Sequence, residues 1–132
     1  MPPTPPAPPA SWECHLHLTN DPRAPRIARH TVRTALLNYA CAPETADTAE
    51  LLTSELVANA VQHSEGPVAV RLRTRGGVIR VGVMDNHPEL PDPLPCTMDE
   101  PFGRGLFLVE AMATTWGRYS MADSKVVWFE LN

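Results

Sequence analysis

Glu55, Asn59 and Gln62 stand in the stretch SELVANAVQHS, Ser54 to Ser64. At about 100° per residue, the three fall within about 60° of one another on a helix. Leu56, Val57, Ala60 and Val61 form the adjoining apolar arc. A polar line on the border of a buried face is either a solvated helix edge or a set of groups that act together. A carboxylate at Glu55 suits it to orient or deprotonate a nucleophile. An amide at Asn59 offers the hard oxygen that Mg²⁺ takes.

Two other places carry chemistry. Asp85 closes VIRVGVMD and continues the parity of Ile79, Val81 and Val83. The period of two in a strand aims its carboxylate at the core side. A carboxylate there needs donors, from neighbouring backbone amides or from a ligand's amino group. Gly103 and Gly105 flank Arg104 at the start of GRGLFLVEAMATT. A helix N-terminus presents unpaired amides and a positive dipole end, and glycine lets a phosphate come close. Arg104 either reaches a terminal phosphate or faces solvent. The segment is no dinucleotide fingerprint, because Leu108 stands where the third glycine belongs, and no Gly-Lys-Ser/Thr follows. Together these parts describe a nucleotide site. Asp85 takes the base, the glycines take phosphates, Asn59 takes Mg²⁺ and Glu55 handles the nucleophile.

The elements that must position them follow from periodicity. WECHLHL, Trp12 to Leu18, alternates and predicts an edge strand with His15 and His17 on one face. No third metal ligand accompanies them, so they read as outward-facing. NDPRAPRIARHTVRTALLNYA predicts a helix capped by Asn20 or Asp21, with Ile27, Val32, Ala35, Leu36 and Tyr39 at helical spacing. Arg23, Arg26, Arg29 and Arg33 make its outer side basic, as a solvated face or a docking surface for an acidic partner. A second helix runs from about Pro43 to His63. PVAVRLRT and VIRVGVMD predict a hairpin around RGG. Asn86 to Phe102 holds five prolines, four acids and no periodicity, as a lid would. A third helix follows. WGRYSMA and KVVWFEL then predict a last strand pair around Asp123 and Ser124. This order predicts an α+β two-layer sandwich, a mixed, mostly antiparallel sheet covered on one face by three helices.

The chain of 132 residues fits one domain, and 43% hydrophobic residues supply a core. Residues 1–11 are proline-rich and predict a disordered tail, with residues 12–132 as the domain. The net charge of -4, with no basic run, argues against direct nucleic acid binding. There is no apolar run of membrane-spanning length and no signal-peptide pattern, so a cytoplasmic protein is expected. Cys14, Cys41 and Cys96 form neither a zinc pattern nor a disulfide framework.

ELVANAVQH, VMD, GRGLFLVEAMA and KVVWFEL, in this order and spacing, resemble the Bergerat-fold (GHKL) ATPases, the superfamily of gyrase and sensor histidine kinases. Within it the chain is most similar to the anti-sigma-factor serine kinases and the short ATP-binding regulators of actinobacteria. The resemblance covers about Trp12 to Asn132. It implies that Glu55 is the general base and Asn59 the Mg²⁺ ligand, and that Asp85 reads the adenine amino group. It implies that Gly103, Gly105 and Leu106 lie along the phosphates of ATP and that Asn86 to Phe102 is the lid. Its implied partners are a sigma factor, an anti-sigma antagonist or both, and relatives of this kind often form homodimers. The chain departs from the family at DNHPELP, where glycines usually follow the aspartate, and at Val126, where threonine is common. No helix pair with a phosphoacceptor histidine precedes the domain in this sequence, so a complete sensor histidine kinase is not expected. Two functions compete: a protein serine/threonine kinase, and an ATP-binding module that regulates a partner by binding alone.

Overall fold

The computed structural model describes Pro3 and residues 11–39, 41–86 and 104–132. Its elements are β1 (Ser11–Leu18), α1 (Ala24–Asn38), α2 (Pro43–His63), β2 (Val68–Arg75), β3 (Val78–Asp85), α3 (Arg104–Met112), β4 (Thr115–Ser120) and β5 (Lys125–Leu131). The expected lid after Asn86, the glycine Gly103 and Cys96 lie outside the described residues, as does most of the proline-rich tail. Ser11, placed in that tail by composition, already pairs with Arg75 in the sheet.

The five strands form one sheet in the order β1-β2-β3-β5-β4. Every pairing among the described strands is antiparallel. The described strands hold no parallel pair: β2–β3 and β4–β5 are hairpins, β1 reaches β2 through α1 and α2, and β4, which follows α3, lies outside β5. The β2–β3 turn consists of Gly76 and Gly77, with φ of 57° and 82°. Positive φ at both central residues is the type I′ requirement that glycine meets without strain. The β4–β5 turn takes four residues, Met121 to Ser124, closed by the Met121 amide donating to the Ser124 carbonyl at 2.8 Å.

Alternation decides which side of the sheet is covered. Val68, Val70, Leu72, Ile79, Val81, Val83, Val127, Phe129 and Leu131 are buried on the inner face. α2 lies against β3, β2 and β5, and α1 packs against α2. α1 meets α2 through Ala24, Ala28, Val32 and Leu36, each at most 1% exposed. These fall at i, i+4 spacing and form one stripe. Ile27, grouped with Val32 and Leu36 by helical spacing, is 48% exposed. The buried stripe takes Ala24 and Ala28 instead, and they share the hydrophobic core with Ala46 and Ala49 of α2. At the other end of α1, Tyr39 stacks on Trp12 of β1 with ring centroids 4.4 Å apart.

The helix ends also differ from expectation. The N-cap of α1 is Arg23, and no side chain caps it. Asp21 instead accepts from the Arg23 amide at 2.7 Å and from its guanidinium at 2.9 and 2.8 Å. Asn20 points away to α2. Its Nδ2 donates to the carbonyls of Ser64 at 2.7 Å and of Val61 and Gly66 at 3.3 Å each. It closes the C-terminal end of the helix that carries Glu55 and Asn59. The basic side of α1 is not wholly solvated, since Arg33 pairs with both Asp47 and Glu50 of α2.

Candidate functional site

α2 is 21 residues long, starts with Pro43 at its first turn and buries Ala46, Ala49, Leu52, Thr53, Leu56, Val57 and Ala60. A straight helix with this inner stripe leaves its flanking positions at the border of the core. Glu55 and Asn59 occupy those positions, both half-buried, whereas Gln62 is exposed. The polar line of the sequence is thus a border on its first two turns and a solvated edge at its third.

Asp85 lies where the alternation of β3 puts it, on the inner face at the strand end and 4% exposed. Its partner in register is Lys125, the first residue of β5. Lys125 Nζ lies 3.5 Å from Asp85 Oδ2, with the two side chains 9% and 4% exposed. Sequence reading missed Lys125. The signal was present, because 125, 127, 129 and 131 share parity and Val127, Phe129 and Leu131 were read as inward. A lysine at the head of a strand was passed over because lysine is almost never fully buried unless paired.

Asn86 continues from Asp85 and packs on Gly66, whose amide donates to Asn86 Oδ1 at 3.3 Å. A Cβ on Gly66 would overlap the Asn86 amide group. The two segments that leave α2 and β3 therefore touch beside Asp85. A recess of about 180 Å³ opens there, lined by Val68, Met84, Asp85, Asn86 and Ser124 among others.

α3 begins at Arg104, so its first turn contains the Arg104, Gly105 and Leu106 backbone. Leu106 is 2% exposed and belongs to the hydrophobic core. Only its backbone amide is left to serve a ligand. The structure thus puts Glu55 and Asn59 on the helix that covers β3, and Asp85 at the end of that strand facing the helices. α3 packs against the same helix.

Two other depressions are larger. One of about 580 Å³ lies between α1 and α2 and is lined by Arg29, Arg33, Asp47, Glu50, Leu51, Ser54 and Glu55. It reaches the site through Glu55. The other, about 440 Å³, lies on the outer face of the sheet around Arg71, Arg80, Gly82, Met84 and Trp128, and holds none of the expected site residues. His15 and His17 line that outer face and are exposed. His15 Nε2 sits 3.2 Å from Glu13 Oε2, and Arg71 and then His15 hold the Glu13 carboxyl below its usual range. Among the described residues no three His, Cys, Asp or Glu side chains gather to hold a metal. Cys14 and Cys41 are free thiols, and burial pushes the Cys41 thiol up.

A family model for the histidine kinase-like ATPase domain matches residues 18–130. The chain belongs to this family. A comparison with curated proteins finds no match. A crystal structure of the RsbU and RsbW domains of Rv1364c from Mycobacterium tuberculosis has a similar fold, with a TM-score of 0.72 and 21% identity. That similarity covers 92% of this chain and 32% of the other, so the chain spans about a third of that protein's length. As a histidine kinase-like ATPase domain, the chain has an α+β sandwich with an open antiparallel sheet, and ATP is the ligand the family implies. No helix among the described residues is long and apolar enough to cross a membrane.

Proposed function

We propose that the protein binds Mg-ATP between α2, the end of β3 and the start of α3, and passes the γ-phosphate to a serine or threonine of an antagonist protein. It would act in the cytoplasm as an anti-sigma factor, holding a sigma factor until the unphosphorylated antagonist takes its place. The observation that carries the reading is that Glu55 and Asn59 border the helix packed on β3, while Asp85 is buried at the end of that strand on the same face. The family match supports ATP as the ligand. The shared fold with a structure titled by its RsbW domain supports the anti-sigma setting.

In this reading Asp85 accepts from the adenine amino group, and the amides of the first turn of α3 face the phosphates. The donor set fits Mg²⁺. With no cluster of acids in the described residues, the ion would draw on phosphate and water oxygens, with the Asn59 side-chain oxygen as the protein's share. When bound, it neutralises charge on the transferring phosphate. Glu55 accepts the proton of the attacking hydroxyl. A bond forms from that oxygen to the γ-phosphorus, the bond to the β,γ-bridging oxygen breaks, and ADP leaves. The open depression between α1 and α2 reaches Glu55 and gives the antagonist a route to it.

The test is incubation of the chain with γ-labelled ATP and purified candidate antagonists. Label should move to a serine or threonine, and Glu55→Ala should slow transfer by about 100-fold or more while keeping ATP affinity. Absence of transfer to any candidate, with ATP shown to bind, would contradict the kinase reading. A second reading, regulation by binding alone, is favoured by DNHPELP after β3, where no glycine follows Asp85 closely. It predicts partner capture that survives Glu55→Ala and is lost with Asp85→Ala.

A further inference from the structure

Lys125 is a buried cation that phosphoryl transfer does not use. It stands across from Asp85 in the β3–β5 register, at the opposite strand's first position. Its Nζ is 3.5 Å from Asp85 Oδ2, and its side chain is 9% exposed. Placing an ammonium here is costly, and a hydrophobic residue at this parity would continue the row of Val127, Phe129 and Leu131. The pairing therefore does more than fill space. It ties down one oxygen of a carboxylate that itself sits at 4% exposure.

We infer that Lys125 is a positioning residue that makes the site selective for a 6-amino purine by fixing the Asp85 carboxylate. The inference rests on the Mg-ATP reading above. An ionised carboxylate only accepts hydrogen bonds, and an ammonium only donates them. With its ammonium 3.5 Å from Asp85 Oδ2, Lys125 helps to orient the acceptor that a base would meet. A 6-amino group donates to it. A 6-oxo group brings a second acceptor and leaves the carboxylate without that bond, the type of mismatch that buried polar sites reject most strongly. Without Lys125 the carboxylate loses this ion pair and the two bases are told apart less well. A residue that only supported the strand pair would change affinity for both nucleotides alike.

The test is calorimetric titration of the full chain, in Mg²⁺, with ATP and with inosine triphosphate, which differs at the 6-position. The wild type should prefer ATP. Lys125→Met should weaken ATP binding by roughly tenfold. It should leave inosine triphosphate within about twofold, so the preference collapses. Lys125→Arg should restore part of the preference, because the charge returns. In an Asp85→Asn background, Lys125→Met should add no further loss, since Lys125 acts through Asp85. If Lys125→Met does not give a cooperative thermal transition, Lys125→Gln, which keeps a polar stem, takes its place. A wild-type ATP preference in Lys125→Met or its replacement, with Asp85→Asn weakening ATP, would overturn the inference and leave the site standing. ATP binding indifferent to Asp85→Asn would overturn the site, and the inference with it.

Discussion

One amide, Asn20 Nδ2, satisfies carbonyls at the end of α2 and in the segment that follows. Those carbonyls have no intrahelical amide to donate to them and need a donor. Asn20→Ala should lower unfolding stability by about 1 kcal/mol, by the usual net value of a hydrogen bond. Asn20→Asp should cost more at neutral pH, because it turns an acceptor toward carbonyl oxygens. Urea unfolding checks both, and an Asn20→Asp protein as stable as wild type would contradict the role. This residue shows where sequence reading stops. Asn20 beside Asp21 and Pro22 resembles a cap for the helix that follows. Its actual partners lie 41 to 46 residues away, a distance no local pattern carries. Asp85 was legible for the opposite reason, because strand parity alone decides which way it faces. Lys125 obeyed the same rule, and only the expectation that lysine is exposed hid it.

At the scale of elements, apolar periodicity located α2, β2, β3 and β5 because each has one long, regular buried face. On α1 helical spacing found Val32 and Leu36 but passed over Ala24 and Ala28, because alanine carries a weaker apolar signal than the exposed Ile27. The entry to α1 is held by the half-buried Asp21 and the exposed Arg23. Arg23's guanidinium, and then its amide, lower the Asp21 carboxyl from 3.8 to about 2. A depressed carboxylate contributes stability that is present above the unfolded value and is lost as pH falls through the folded one. The advantage of wild type over Asp21→Asn should therefore hold at pH 6, shrink below about pH 4 and vanish near pH 2. Denaturation midpoints of the two proteins over that range check it. A constant difference would show that the pair adds no pH-linked stability. The start of α3 was legible as a helix from its apolar pattern, whereas a glycine pair around an arginine is a weak signal until it stands beside the other blocks.

At the scale of the whole molecule, one sheet with helices on one face leaves the other face open. That arrangement brings chemistry from α2, β3 and α3 to one side. The four sequence blocks that resemble Bergerat-fold ATPases are far apart in the chain, and the fold explains why they occur together. The partner surfaces were not legible in the same way, since a partner's chemistry is not written into the protein that binds it. Whether the outer sheet face or the depression by Glu55 meets that partner depends on the shape of both molecules. The account's central claim is that the covered face holds Mg-ATP with Asn59 as the protein's oxygen on the metal. Calorimetric titration of the full chain with ATP, with and without Mg²⁺, for wild type and Asn59→Ala, tests it most directly. Mg²⁺ should tighten ATP binding to wild type by about tenfold or more and leave Asn59→Ala little changed. ATP binding that responds to Mg²⁺ equally in both proteins, or in neither, would contradict it.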